Sequence, residues 1–442
     1  MTLHLNIALS TPGHLRTAWR RGGVDPFAFV DPQHFTRLVR LAEAAKIDAV
    51  FIGDSPALPG DIASAPGNAL DPLLMMTHAA ATTSNIGLLA TSTTTYSNPY
   101  ELARRYLTID HLTGGRSAFN AVTSYSADAA ANFGVEPLAK AARYARADEF
   151  VGLVVKLWES WDPDALEGDI ASGLFAHRAR IHDVDHHGEH FDVKGALPLP
   201  RSPQGRPVVV QAGASAGGRA LGAKYADVVF AAAQTVDHAV AYRNEIRSRA
   251  VEFGRSAEDV KLSQGLVVIV GETESHALQR ELELRDTIDY PSALRGLEGK
   301  LGARAGTLDL DRVVGLDQIA DPATSDDGGP AGFLSSARAL IAQEPVTARQ
   351  LIDRSASGAG HRLVVGDSEQ IANTIEEWFT AGAADGFTVM PADVHADFEL
   401  FAEHVVPILI SRGLVHAEYL STTYRGNLGL AAVPPRLGQI SR

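Results

Sequence analysis

The segment 211–218 (QAGASAGG) has residue types and spacing that suit the binding of an anion. Its glycines let the main chain approach a ligand closely. Ser215 directly precedes a predicted helix, whose free N–H groups and dipole favour a negative charge. The segment therefore indicates a phosphate site. An ordinary strand-to-helix turn with Ser215 as the N-cap explains the same residues, and the sequence leaves both interpretations open.

Three other predicted strands end in polar side chains, those of Asp54, Thr91 and Asn120. Each also has a structural explanation: a capping or loop aspartate, a β-branched strand residue and a turn asparagine. We find no paired carboxylates beside them and no Ser–His–Asp arrangement, so we assign no catalytic residue. Together the strand ends predict a polar, planar ligand that is held by hydrogen bonds.

A histidine-rich segment, residues 181–191 (IHDVDHHGEHF), is the other candidate for chemistry. It has no His-Glu-x-x-His helix, and Gly188 with the alternation over 190–193 predicts a solvated hairpin. We therefore predict no metal site there. One of its histidines remains a candidate substrate contact, because the segment belongs to an insertion that is expected to overhang the site.

The elements that must position these residues alternate between strand and helix. Proline follows Asp or Asn at positions 32, 72 and 99, which is typical of a capped helix start. The predicted strands are residues 4–9, 48–53, 86–91, 116–122, 207–211, 227–231, 261–270 and 387–390. Eight is the number at which a parallel sheet closes into a (β/α)8 TIM barrel. A doubly wound sheet is the alternative, but no Gly-x-Gly-x-x-Gly turn follows the first strand.

Two stretches interrupt the alternation, at about 162–206 and 290–360. Gly, Asp, Pro and His dominate the first, and Gly, Ala, Asp and Pro the second. We interpret them as insertions after strands 4 and 7 of one TIM-barrel domain that spans residues 1–442. In a barrel the chemistry lies at the C-terminal ends of the strands, where Asp54, Thr91, Asn120 and Ser215 fall.

The overall composition excludes several kinds of site and partner. The 442 residues include no cysteine, which excludes disulfides, cysteine-ligated metals and thiol nucleophiles. The net charge of −14, without a basic stripe, argues against a nucleic-acid partner. The N-terminus lacks a signal-peptide pattern, and no apolar run is long enough to span a membrane. The sequence thus predicts a cytoplasmic protein without nucleic-acid or membrane partners.

Several longer blocks carry a family resemblance. They are residues 86–124 (from IGLLATSTTTYSNPYE to FNAVTS), 143–161 (RYARADEFVGLVVKLWESW), 185–230 (including PQGRPVVVQAGAS), 385–414 and 424–430 (YRGNLGL). The chain resembles the bacterial luciferase-like flavin-dependent monooxygenases, in the branch of nitrilotriacetate monooxygenase component A and dibenzothiophene-sulfone monooxygenase. The match runs nearly from end to end and is weakest over 290–360.

The resemblance implies a two-component monooxygenase that uses reduced FMN (FMNH2). A separate NAD(P)H:flavin reductase would supply the flavin, and reaction with O2 would give a peroxyflavin that oxygenates a small organic substrate. The residues implied to bind FMN are Asp54, Thr91, Asn120, Lys140, Tyr144, Ala214, Ser215 and Ala216. Among them, Tyr144 and Ser215 are phosphate contacts, assisted by the backbone of Ala214 and Ala216. His14, Trp19 and Arg20 are implied to line the substrate space, and the assembly is implied to be a homodimer or homotetramer.

One position departs from the family pattern. The family usually has a histidine four residues before the tyrosine, and here that residue is Lys140, which can pair with phosphate as a point charge. Two other functions stay open: an F420-dependent oxidoreductase of the same superfamily, and a flavin-binding protein without catalysis. The substrate, whether a sulfur compound, an amine, an alkane or an aromatic, does not follow from the sequence.

Overall fold

Eight parallel strands close into a barrel in the structure, a computed structural model that describes residues 2–21, 23–67, 70–321, 331–356 and 360–433. The strands are β1 (His4–Ala8), β2 (Ala49–Ile52), β3 (Gly87–Thr93), β4 (Ser117–Val122), β5 (Leu166–Asp169), β6 (Leu174–Ala176), β7 (His186–His187), β8 (Asp192–Val193), β9 (Val208–Ala212), β10 (Val228–Ala231), β11 (Lys261–Gly271), β12 (Arg362–Asp367) and β13 (Gly386–Pro391). The barrel runs β1-β2-β3-β4-β9-β10-β11-β13, and β13 pairs with β1. The predicted TIM barrel and its eight strands are confirmed.

Helices surround the barrel, and some of them belong to the second insertion or to the floor of the barrel. They are α1 (Pro32–Ala44), α2 (Pro72–Ala80), α3 (Pro99–Leu112), α4 (Ala127–Asn132), α5 (Lys140–Trp158), α6 (Ala216–Tyr225), α7 (Val236–Glu252), α8 (Glu274–Arg285), α9 (Tyr290–Leu301), α10 (Ala331–Gln343), α11 (Ala348–Ala356), α12 (Ser368–Thr380), α13 (Ala396–Leu400), α14 (Val406–Ser411) and α15 (Tyr424–Asn427). The three predicted Asp/Asn-Pro starts are confirmed, since the side chains of Asp31, Asp71 and Asn98 accept hydrogen bonds from the first turns of α1, α2 and α3. None of the helices in these described ranges has the length and apolar character that crossing a membrane requires.

The two insertions lie where they are predicted, after the fourth and seventh barrel strands. The first contains the antiparallel pairs β5–β6 and β7–β8. The second contains α9, α10 and α11, which enclose an apolar cluster of their own around Leu301, Phe333 and Leu351. Strand β12 comes after this insertion and was not predicted. It pairs in parallel with the far end of β11, so it continues the barrel wall beyond the end of β10.

The spacing of Phe398, Phe401, Val405 and Ile408 predicts one continuous closing helix from about 396 to 412 with these residues on its buried face. In the structure this helix is interrupted. It is divided into α13, a π-helical turn over Phe401–Val405, and α14. Pro407 lies just beyond that turn and cannot donate a main-chain hydrogen bond. The extra residue of the π turn rotates α14 about its axis, so Leu409 is fully buried instead of the predicted Ile408.

The N-terminal end of the barrel is filled by a segment from far along the chain. The ring of Tyr424 is fully buried, and its hydroxyl donates to Asn6 Oδ1 at 3.3 Å. A Cβ on Gly87 would lie 2.5 Å from that ring, so β3 needs a glycine there. The next residue, Arg425, pairs with the buried Asp227 at 2.9 Å. This floor leaves only the C-terminal ends of the strands open, where the predicted site residues lie.

Candidate active site at the open end of the barrel

Thr91 and Asn120 lie side by side on β3 and β4. They are register partners, each is 3% exposed, and Asn120 Nδ2 donates to Thr91 Oγ1 at 2.9 Å. This bond fixes the orientation of the amide and leaves Asn120 Oδ1 buried with no partner in the described part of the chain. Leaving a buried acceptor unsatisfied is unfavourable. The position therefore suits a ligand that brings an N–H group.

In the turn after β9, Ser215 has the capping role that was one of its two interpretations. Its side chain is the N-cap of α6 and accepts a hydrogen bond from Gly218 N at 3.2 Å. The turn also brings in Tyr144 of α5, because a Cβ on Gly217 would lie 2.7 Å from the tyrosine ring. Tyr144 and the Ser215 turn therefore form one cradle, although more than 70 residues separate them in the sequence.

The first turns of α5 carry two basic residues beside Tyr144. Lys140 is the first residue of the helix and Tyr144 lies one turn further along the same face. Arg143, between them, is 7% exposed, and its Nε has no partner among the described residues. Sequence reasoning missed Arg143. Its place in the ARY block was visible, but its burial depends on the packing of α5.

Asp54 follows β2 and is half-buried. Burial, and next the negative charge of Asp71, raise the pKa of its carboxyl, while the backbone N–H of Ser55 opposes the shift. A carboxyl with a raised pKa gains its proton at a higher pH and can then donate a hydrogen bond as well as accept one. Asp71 cannot move away, because its side chain caps α2 by accepting from Leu74 N at 3.0 Å.

The opposite side of the opening contains residues that sequence analysis did not single out. His361, just before β12, is 8% exposed and stacks on Phe230 of β10 with ring centroids 5.0 Å apart. The ring of His14 approaches it edge-on at 6.3 Å. A Cβ on Gly265 of β11 would collide with His361 Nδ1, so this glycine makes room for the imidazole. Burial, and next the neighbouring His14, lower the pKa of His361 to about 3.

The loop after β1, which carries His14, is attached to the end of β13. His14 N donates to Pro391 O at 2.8 Å, and a Cβ on Gly13 would collide with Ala392 O. The other two residues predicted for the substrate space have bracing contacts instead: Trp19 Nε1 donates to Ser64 O, and Arg20 to Thr287 O. His14 therefore lies beside His361, whereas the polar ends of Trp19 and Arg20 hold loops together.

The histidine-rich segment has a structural role in the described residues. His186 contacts Glu149 of α5 at 2.9 Å, and the same carboxylate accepts from His190 N at 3.0 Å. Burial acts to raise the pKa of Glu149, but the hydrogen bonds from His186, His190 and Phe191 lower it overall. His182 and His187 pair with Asp162 and Asp192. No group of three or more His, Cys, Asp or Glu residues in the described ranges is placed to hold a metal ion. The predicted hairpin is confirmed as β7–β8, which is anchored to α5.

The chain is similar to several known proteins. A family model described as luciferase-like monooxygenase matches residues 6–385. The chain is 35% identical over 435 residues to N-acetyl-S-(2-succino)cysteine monooxygenase of Bacillus subtilis, covering 97% of this chain and 96% of that one. It is 37% identical over 429 residues to nitrilotriacetate monooxygenase component A of Aminobacter aminovorans, covering 93% of each. A riboflavin lyase crystallised with a modified FMN and riboflavin superposes with a TM-score of 0.84 at 28% identity, over 97% of this chain and 96% of that one.

Proposed function

The chain belongs to the luciferase-like monooxygenases, and on that premise we propose that it uses reduced FMN to oxygenate a small organic substrate in the barrel opening. Bound reduced flavin supplies the two electrons with which one atom of O2 enters the substrate and the other leaves as water. The protein's own residues then have three tasks: to hold the flavin, to orient the substrate and to limit the access of water.

The observation that carries this proposal is the unpartnered Oδ1 of Asn120. It is buried at the end of β4 and cannot turn away, because Nδ2 of the same amide is bonded to Thr91. The isoalloxazine ring of FMN has N–H groups at its edge that can donate to such an acceptor. The residues present therefore fit the ring edge of a flavin, and Asp54 is proposed as a second contact of the ring or the ribityl chain.

The cradle around Tyr144 and Ser215 fits the other end of FMN. A phosphate there would accept hydrogen bonds from the two hydroxyls and from the backbone of Ala214 and Ala216 at the start of α6. Lys140 would add a point charge at the position where the family usually has a histidine. These residues would hold one end of the cofactor, while Asn120 and Asp54 would hold the other.

We also propose the partners that this chemistry requires. The relative named component A has, by its name, at least one further component. For this chain we propose a separate NAD(P)H:flavin reductase as the source of reduced FMN, a cytoplasmic location in which such a reductase is available, and assembly as a homodimer or homotetramer. We propose one catalytic domain that spans residues 1–442.

The proposal is tested first by the choice of cofactor. Anaerobic titration of the purified chain with reduced FMN and with reduced F420 should show saturable binding of FMN alone. Preference for F420, and turnover that needs no O2, would contradict the proposal.

The second test measures whether an oxygen atom from O2 enters the product. In 18O2, with reduced FMN supplied by a reductase, mass spectrometry should find one 18O atom in the product of a substrate from a panel. The panel comprises N-acetyl-S-(2-succino)cysteine, nitrilotriacetate and dibenzothiophene sulfone. Binding of FMN with neither label incorporation nor substrate-dependent O2 uptake across a wide panel would favour a flavin-binding protein without catalysis.

A further inference from the structure

We propose that Arg143 is the principal cation that binds the phosphate of the flavin. This inference rests on the proposed function and adds to it a residue that sequence reasoning did not assign. It starts from an anomaly: Arg143 is 7% exposed, and its buried Nε has no partner among the described residues.

In the described ranges the buried Arg143 has aromatic neighbours but no hydrogen-bonding or ion-pair partner. Its side chain is 7% exposed, and no ion pair or hydrogen bond of its guanidinium is present in the part of the chain that the structure describes. Its neighbours are aromatic: the ring of Tyr125 lies 6.0 Å from the guanidinium carbon, and Tyr96 is close enough for the positive charge to act on its hydroxyl. Arginine is rarely buried without a partner, because removing the charge from water is costly.

The other buried arginines show what a structural role looks like in this protein. Arg425 pairs with Asp227, Arg280 pairs with Asp397, and Arg116 donates to the carbonyl oxygens of Thr113, Ile86 and Thr83. Each of these guanidinium groups has acceptors within 3.2 Å. Arg143 differs from all three, so we attribute its burial to a ligand that brings the missing negative charge.

The position of Arg143 identifies that ligand. Lys140, Arg143 and Tyr144 occupy positions i, i+3 and i+4 of α5 and therefore share one helix face. Tyr144 on this face already packs against the Ser215 turn. A planar guanidinium can bind phosphate through two parallel hydrogen bonds, which a lysine cannot do. Arg143 thus offers the fixed contact that Lys140 does not provide.

The test separates charge recognition from packing by comparing FMN with riboflavin, which has the same ring but no phosphate. Dissociation constants of both oxidised flavins are measured by fluorescence quenching for the wild type, Arg143→Met and Arg143→Lys. Arg143→Met should weaken FMN binding roughly thirtyfold, since a hydrogen-bonded charge is lost. Riboflavin binding should change less than about twofold, and Arg143→Lys should keep part of the FMN affinity.

A matched control and a stability measurement exclude a structural effect. Arg146 of the same helix donates to Thr95 O, so Arg146→Met removes an equal charge that already has a partner. It should leave the ratio of FMN to riboflavin affinity unchanged. Without flavin, Arg143→Met should unfold at the same temperature as the wild type or higher, because an unpaired buried charge is removed.

Each other outcome has a defined meaning. Equal losses for FMN and riboflavin, or a loss no larger than that of Arg146→Met, would overturn the assignment of Arg143. Unchanged FMN affinity with a raised KM for nitrilotriacetate would assign Arg143 to a substrate carboxylate and would also overturn it. Failure of the wild-type chain to bind FMN would instead refute the proposed function itself.

Discussion

The two sides of the barrel opening are built in different ways. On the side of β3, β4 and β9, the candidate ligands come from strand ends and from the first turn of one helix, and most were predicted from the sequence. On the side of β10 and β11, the central residue is His361, which arrives at the end of the 290–360 insertion. The first side offers hydrogen-bonding and cationic groups, and the second offers rings. We propose that the first is a cofactor side and the second a substrate side, and that perturbing them should have separate consequences.

Ser215→Asp should have the largest effect, and on the cofactor side alone. A carboxylate at the start of α6 would face the proposed phosphate, and the repulsion should weaken FMN binding roughly a hundredfold or more. Fluorescence titration measures the change. Ser215→Ala, which removes the cap without adding charge, is the control and should lose far less affinity. Unchanged FMN affinity in Ser215→Asp would show that this turn is not the phosphate site.

His361 should make the substrate side sensitive to acid. In the folded protein its pKa is about 3, against about 6.5 in the unfolded chain, so between these values the unfolded chain holds one more proton. The stability contributed by the neutral ring should therefore fall as pH drops from 6.5 towards 3, by about 1.4 kcal/mol per pH unit. Denaturant unfolding from pH 7 to pH 4 should show a shallower decline for His361→Leu than for the wild type.

The same comparison separates His361 from other titrating groups. The pKa of His34 is lowered to about 4, chiefly by burial and then by His395, and the pKa of Asp397 is raised to about 6, chiefly by burial. These two groups contribute equally to the pH dependence of stability in the wild type and in His361→Leu. Their contributions therefore cancel when the two proteins are compared. FMN affinity at neutral pH should be the same in both proteins. An equal decline of the unfolding free energy with falling pH in both proteins would contradict a neutral, buried His361.

Asn120→Ala and Thr91→Val should distinguish a ligand contact from a structural bond on the cofactor side. Both remove the hydrogen bond between the two side chains, which should cost about 1 kcal/mol of unfolding free energy. Only Asn120→Ala also removes the free oxygen, so this variant should weaken FMN binding by about tenfold. Thr91→Val keeps that oxygen and only loosens the amide, so it should lose less FMN affinity. The two dissociation constants decide the question. Equal FMN affinity in the two variants would remove Asn120 from the proposed site.

Lys140 should give the smallest effect. It is half-exposed, so Lys140→Ala should weaken FMN binding only about fivefold at low ionic strength, and less in about 0.5 M salt. Lys140→His, which restores the residue usual in the family, should match the wild type or bind slightly more tightly and should depend less on salt. If the loss of FMN affinity in Lys140→Ala did not depend on salt, Lys140 would make a buried contact with the phosphate. Arg143 would then not be the principal cation on the cofactor side.

The sequence predicts the barrel well because its signals are local. The apolar runs of buried parallel strands and the Asp/Asn-Pro helix starts each lie within a few residues. The cofactor-side residues are found for the same reason, since Thr91, Asn120 and Ser215 lie at or just after the ends of strand patterns. Strand β12 is missed because it pairs only with the C-terminal half of β11, almost a hundred residues earlier, and no local pattern indicates that pairing.

The remaining site residues depend on distant packing. His361 belongs to the site because Gly265 leaves room for its ring, almost a hundred residues earlier in the sequence. Arg143 stands out from the other buried arginines only because the described residues around its side chain offer no hydrogen-bond acceptor. The shift from Ile408 to Leu409 has a similar origin, since the π turn is visible in the backbone but not in the helical spacing.

The ring of Tyr424 at the barrel floor has a consequence for the synthesis of this protein. Its partner Asn6 lies 418 residues earlier, so every barrel strand leaves the ribosome before the residue that completes their shared core. A contact between residues so far apart in the sequence forms late, because its favourable energy is gained only after the entropy of closing the chain has been lost. Until then the nascent barrel has an unfilled apolar centre around Leu89 and Val208. Translation that stops before residue 424 would leave this surface open, a mark by which chaperones and proteases can recognise an incomplete chain.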